Sequence, residues 1–327
     1  MGKWFKAVVQ LSIGIVILLW LFQLADLSKV LKTLMSMNPV SLAIPATFFI
    51  IASTFVAFAL YVIVKSLDSR PPLWKTVMVS FAGQLLSDVT PARSGYFVTP
   101  LILNKMCGIS IEKGVTSVLF TGITNSFVKV ILGVVALAYF LRFLPIQPMI
   151  VNAMVIGIIF LLTGGLFLLT LMLSKRFLRV STVLRRIPLV KVVLKKFMDV
   201  LEKTQKEGRR TYRAFPLIFL LIVLSVVANA IALFSISNIL WYGSPNLLEF
   251  IFIAALAGSL MYVPVTVAGL GVQETGYVIL LTLLGMPLER AVAFALIARL
   301  LFTGTDIIGI FPLLRVGVQY EDRPPKA

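Results

Sequence analysis

These 327 residues encode an all-α protein that crosses a membrane several times, and three features of the sequence predict it. The chain is 59% hydrophobic and only 13% charged, with a mean hydropathy of +1.02. A soluble domain carries roughly 25% charged residues, so lipid is the main solvent here. Several apolar stretches exceed the roughly 18–20 residues needed to cross a hydrocarbon core about 30 Å thick. Two further apolar stretches are interrupted by Pro and Gly, the pattern of helices that break inside a membrane. The expected fold is about six full transmembrane helices plus two re-entrant broken-helix hairpins in an inverted repeat. All of it forms a single membrane domain, 1–327.

The spans fall at roughly 4–24, 40–64, 113–141, 148–173, 214–241 and 288–314, each long enough to cross. Trp4, Trp20, Trp74 and Trp241 lie near span ends, where indole favours the headgroup region. The N-terminus runs into its apolar segment without a small-residue cleavage site, which predicts a retained first helix. The first hairpin occupies 73–107, broken at Thr90-Pro91-Ala92-Arg93-Ser94-Gly95, and the second 247–284, broken at Pro264 through Gly271. The second arm of the first hairpin has about 12 residues, about 18 Å of helix, too short to cross. Such arms must enter and return, with Pro and Gly at the tip where the chain leaves the helix.

Charge placement orients the chain. Thirteen of the thirty Lys and Arg lie between Lys175 and Arg213, against only Asp199, Glu202 and Glu207. Beside membrane spans, such a run is a cytoplasmic loop on anionic lipid, not a nucleic-acid site. If both hairpins return to their starting side, a cytoplasmic N-terminus also places Lys65, Arg70, Lys75 and the C-terminal Arg315, Arg323 and Lys326 inside. The predicted localisation is the cell membrane with both termini cytoplasmic. Within the basic 175–213 loop, Val190, Val193, Leu194, Phe197 and Leu201 recur at helical spacing, predicting an amphipathic helix on the inner leaflet. A single cysteine, Cys107, rules out an intramolecular disulfide and a Cys-based metal site. With no histidine, the commonest proton shuttle and zinc ligand are gone too. No metal and no cofactor are expected.

The two hairpin regions repeat one another. Ala82-Gly83-x-Leu85 matches Ala257-Gly258-x-Leu260, Gly95 matches Gly271, and Gly108…Glu112-Lys113-x-Val115 matches Gly285…Glu289-Arg290-x-Val292, with the offset drifting from 175 to 177 residues. Repeat one spans about 40–141 and repeat two about 214–314. With the orientation above, the first enters from inside and the second from outside, so the repeats are inverted and their tips should meet. Interrupted segments at matching positions of two halves point to a transporter binding site. Half-helix N-termini there suit an anion such as phosphate.

At these residues the chain resembles the membrane region of lysylphosphatidylglycerol synthases and the stand-alone flippase-like proteins related to it. The motifs are Thr90–Gly95, Pro264 through Gly271 with Glu274, and the trailing Gly285-Met286-Pro287…Ala291…Arg299 pattern. The resemblance spans nearly the whole chain. It departs from the family at Ala92 and Tyr96, where the first motif commonly has Gly and Glu, and at Ala268, where the second has the first of two glycines. The soluble aminoacyl-transfer domain of the bifunctional synthases is missing. What remains looks like the lipid-translocating half, not an enzyme.

Ionisable residues at membrane depth cost roughly 2.5–3.5 kcal/mol each on insertion scales, which makes them functional candidates. Arg93 and Arg299 are assigned to substrate contact, because a guanidinium binds phosphate through a planar fork. Glu274 either neutralises Arg299 or couples to a proton. Pro91, Gly95, Gly269 and Gly271, at the tips, complete the expected substrate-binding set with Arg93, Glu274 and Arg299. Lys129 and Asp306, related by the 177-residue offset, are expected to form an intramembrane charge pair. The leading reading is translocation of a phospholipid or lipid-linked, phosphate-bearing substrate, its head group passing between the tips. The alternatives are an accessory subunit presenting a lipid to a separate membrane transferase, or an integral lipid transferase. The partners are membrane lipids, anionic or lipid-linked phosphate, with a homo-oligomer also open. Nucleic acid is not among them.

Overall fold

A computed structural model describes residues 3–173 and 211–321, apart from single positions 68, 92, 145 and 244. The predicted amphipathic helix at 190–201 lies outside the described residues. Twelve α-helices follow one another through the rest. They are α1 (Lys3–Leu24), α2 (Leu27–Met35), α3 (Ala43–Ser66), α4 (Leu73–Asp88), α5 (Thr99–Cys107) and α6 (Ile111–Phe143). Then come α7 (Pro148–Leu173), α8 (Phe215–Leu240), α9 (Leu247–Leu260), α10 (Val272–Leu283), α11 (Leu288–Asp306) and α12 (Ile310–Glu321). Among the described residues the one β-type contact is a single antiparallel bridge, Pro91 with Val267. This is an all-α, multi-pass membrane protein. Five helices are long and apolar enough to cross, or six if α1 and α2, bent by 88°, count as one span. In lipid, only a helix satisfies all its own backbone groups in this way.

The hairpin arms are short. At about 1.5 Å per residue, α4 is about 24 Å long, α5 about 14 Å, α9 about 21 Å and α10 about 18 Å, against a core of about 30 Å. Local chemistry sets their ends. Asn246 opens α9 by accepting from the Glu249 N–H at 3.0 Å, while Glu249 accepts from the Asn246 N–H at 2.8 Å, a reciprocal cap. The second arms both stop at a left-handed glycine, Gly108 (φ 67°) after α5 and Gly285 (φ 98°) after α10, the backbone that favours glycine at a helix end.

Packing pairs the two halves. Helix α3 lies along α8, and each then packs on the first arm of its own hairpin, α4 and α9. Helix α6 packs against α9, and α11 with its 3-10 turn packs against α4. Each long helix after a hairpin therefore braces the first arm of the other hairpin. Two features add to the predicted spans. The stretch after Leu24 folds as α2, capped by the Asp26 side chain accepting from the Ser28 N–H at 3.1 Å; these bonds hold the Asp26 carboxyl below its ordinary range. The last predicted span is one span, Leu288–Arg315, carrying a 3-10 turn at Ile307–Gly309 where Gly309 lies directly on the backbone of Phe81 and Ala82 with no room for a Cβ.

Candidate functional site

The site is built where the two hairpin tips meet. In the first tip, Thr90 Oγ1 donates to the Leu86 carbonyl at 2.9 Å and accepts from the Gly95 N–H at 2.6 Å, closing the turn. Gly95 sits so tightly on the Leu86 carbonyl that no side chain fits. Arg93 takes a left-handed backbone (φ 56°), which turns its side chain back over α4. Its Nε donates to Ser87 Oγ at 2.7 Å, its Nη2 to Asp88 Oδ1 at 3.0 Å, and its guanidinium lies 5.4 Å from the Phe302 ring centre. The second tip turns through three left-handed residues, Ala268 (φ 47°), Gly269 (φ 73°) and Gly271 (φ 80°). A Cβ on Gly269 would stand 2.7 Å from Met261 Cα. Glu274 secures the start of α10 by accepting from the Gly271 N–H at 2.7 Å, and its other oxygen lies 3.6 Å from Arg299 Nε. Arg299 Nη1 then donates to the Ala268 carbonyl and to Gln273 Oε1, both at 3.2 Å. Pro91 and Val267 join the two tips.

One guanidinium thus serves each tip by a different route. Arg93 sits on the first tip, where the repeat offset of 176 puts Gly269 in the second. Arg299 reaches the second tip from α11, where the offset of 177 puts Gly122 in α6.

Beside the tips is a cavity of about 390 Å³. Arg93, Lys129 and Arg299 line it; Asp88, Glu274 and Asp306 do not. The wall is therefore cationic, and the buried acids stand behind it. Gln84, Asn125, Tyr262 and Gln273 add polar groups. Phe97, Phe160 and Phe167 line the same cavity and are also exposed on the outer surface, so an apolar wall leads from the cations towards lipid.

Lys129 and Asp306 do not pair, contrary to the sequence-based expectation. Lys129 Nζ lies 3.4 Å from Tyr262 Oη, which also accepts from Asn125 Nδ2 at 2.9 Å. Asp306 accepts from Ser53 Oγ at 3.1 Å and is within hydrogen-bonding reach of the Asp88 carboxyl. The cause is the crossed bracing described above. Each residue meets the end of the other repeat's first arm, and Tyr262 is the counterpart of Ser87 under the 175-residue offset. The offset relates the two contacts, not the two residues to each other.

Two other partners were not evident in the sequence. Helix α1 lies on the second tip: Gln10 Nε2 donates to the Pro264 carbonyl at 2.8 Å, and Gly14 abuts Leu270. Asp88, at the end of α4, forms the ion pair of Arg93.

The fold and the cavity define the class: a polytopic α-helical membrane protein with three cationic side chains lining a cavity between interrupted helices. Residues 7–307 match the family model described as the lysylphosphatidylglycerol synthase TM region. The chain belongs to that family, which gives it a membrane lipid-related role. Comparison with curated proteins finds no match.

Proposed function

We propose that this protein translocates a phosphate-bearing lipid across the cell membrane, its head group passing through the cavity between the hairpin tips. The observation that carries this reading is the sorting of charge, with Arg93, Lys129 and Arg299 on the wall and their acids behind it. A guanidinium keeps its charge when buried and offers parallel donors to phosphate. Preorganised by Asp88 and Glu274, the two arginines face an incoming anion without having to be reoriented. The apolar wall by Phe97, Phe160 and Phe167 lets acyl or isoprenoid tails stay in lipid while the head group moves. The short arms are read as re-entrant, the repeats as inverted, and both termini as cytoplasmic, following the basic loops.

The test is translocation of fluorescently labelled phosphatidylglycerol in vesicles, followed by chemical quenching of the outer leaflet. Wild-type protein should equilibrate the label across the bilayer, and Arg299→Ala should slow this at least about tenfold, the loss of one charge-assisted contact of about 1.5–3 kcal/mol. Equal rates in empty, variant and wild-type vesicles would refute translocation of this lipid class. Transfer of a group to or from the lipid, seen by mass spectrometry, would favour a transferase instead.

A further inference from the structure

We infer that Asp88 and Asp306 share one proton, and that this proton links anion binding in the cavity to pH. The inference deepens the proposed function and rests on it for the identity of the anion. Both carboxyl groups are buried, Asp88 at 6% and Asp306 at 0% exposure. Each spends one oxygen on a protein donor, Asp88 Oδ1 on Arg93 and Asp306 Oδ1 on Ser53. The second oxygen of each, Oδ2, is buried without any protein donor. The two carboxyl groups are nevertheless within hydrogen-bonding reach of each other. Ionised carboxylates only accept hydrogen bonds, so this contact requires a proton between them, and two like charges in such a site do not both ionise.

Among the described residues, one cation is in direct contact with the pair. Arg93, from the first tip, is the cation bonded to the pair. Arg299 on α11 acts on Asp88 from farther off and is itself held by Glu274. Ser53 on α3 is neutral, and Tyr96 and Tyr262 face Arg93, with Tyr262 taking Lys129. With one proton on the pair, Arg93, Asp88 and Asp306 sum to zero charge.

Linkage follows from the position of Arg93 between the acids and the cavity. An anion drawn to Arg93 diverts part of its field from the acids, so the pair holds its proton more tightly in the bound state. Binding then takes up a proton where the free pair has lost one. Anion affinity rises as pH falls, by up to about tenfold per pH unit between the titration points of the free and the bound pair, and is flat above and below that window.

The experiment is calorimetric titration of the purified full chain with dioctanoyl phosphatidylglycerol, in buffers of different ionisation heat and across pH. This phosphodiester lipid does not titrate in the working range. Wild type should take up about one proton per lipid within that pH window. Asp306→Asn, which fixes the neutral form, should bind with no proton uptake and a flat pH profile. A pH-independent wild type, or an Asp306→Asn variant that keeps the full linkage, overturns the inference. Infrared spectra read the proton without any lipid: a protonated-carboxyl band that Asp306→Asn removes supports the shared proton, and no such band in wild type overturns it. Absence of lipid binding at every pH, with the infrared band present, would refute the anionic-lipid reading and leave the shared proton standing.

Discussion

Removing Arg93 should damage this protein in two separable ways. Its ion pair with Asp88 is hydrogen-bonded at 3.0 Å, and the side chains are 13% and 1% exposed. Arg93→Ala therefore leaves the buried negative charge of the Asp88–Asp306 pair without its cation. Breaking a buried pair by removing one partner costs about 3–5 kcal/mol. The lower end, about 3 kcal/mol, applies because Asp88 can escape by taking a proton. Adding Asp88→Asn removes the stranded charge, so the double variant should recover about 2 kcal/mol over Arg93→Ala, and the full cycle gives the coupling energy between the two sites. Transport should not recover, because the phosphate contact is gone in both variants. The assay is thermal unfolding of the four proteins of the cycle in lipid nanodiscs, with vesicle translocation measured on the same preparations. A double variant that transports like wild type would refute a substrate-contacting role for Arg93. A single variant as stable as wild type would show that the pair with Asp88 is not the buried contact described here.

Further outcomes follow from the same geometry. Ala268 has φ 47° and is fully buried, so Ala268→Gly relieves left-handed strain of about 1–2 kcal/mol against a glycine entropy cost of about 0.5–1 kcal/mol. It should raise the melting temperature slightly and leave transport intact. Gly269→Ala should do the reverse, losing about 2 kcal/mol or more and most transport, since its Cβ would press on Met261 Cα at 2.7 Å. Gln10→Leu orphans the Pro264 carbonyl, now bonded at 2.8 Å. It should cost about 0.5–1.5 kcal/mol and speed amide exchange at the second tip more than at the first. Lys129→Met removes a cavity cation whose Nζ lies 3.4 Å from Tyr262 Oη. It should weaken anionic-lipid binding in calorimetry while the melting temperature moves little.

The spans were legible because lipid imposes a length and a composition that a single strand of text displays. The helix breaks were legible because Thr90–Gly95 and Pro264–Gly271 interrupt apolar runs with residues that do not continue a helix. What escaped the sequence depends on contacts between distant segments. Gly309, in the 3-10 turn at Ile307–Gly309, packs on the backbone of Phe81 and Ala82, more than two hundred residues away in the chain. The mate of Asp306 is Asp88, because α11 braces α4 of the other repeat and not its own counterpart, α6. Arg299 and Glu274 could be matched from their spacing on neighbouring helices, whereas the hydrogen bond of Gln10 on α1 to the Pro264 carbonyl of the second tip had no sequence signal at all.

The central claim is that a head group passes between the two tips. Pro91 and Val267 form an antiparallel bridge, which sets their Cα atoms about 4.5–5.5 Å apart, within the span of about 4.4–6.8 Å that a disulfide joins. With Cys107, the single cysteine, first replaced by serine, Pro91→Cys and Val267→Cys can be oxidised to staple the tips together. The decisive measurement is the translocation rate of labelled phosphatidylglycerol by this protein, oxidised and then reduced. The account predicts that oxidation stops translocation and reduction restores it. Full-rate translocation by the stapled protein would contradict passage between the tips.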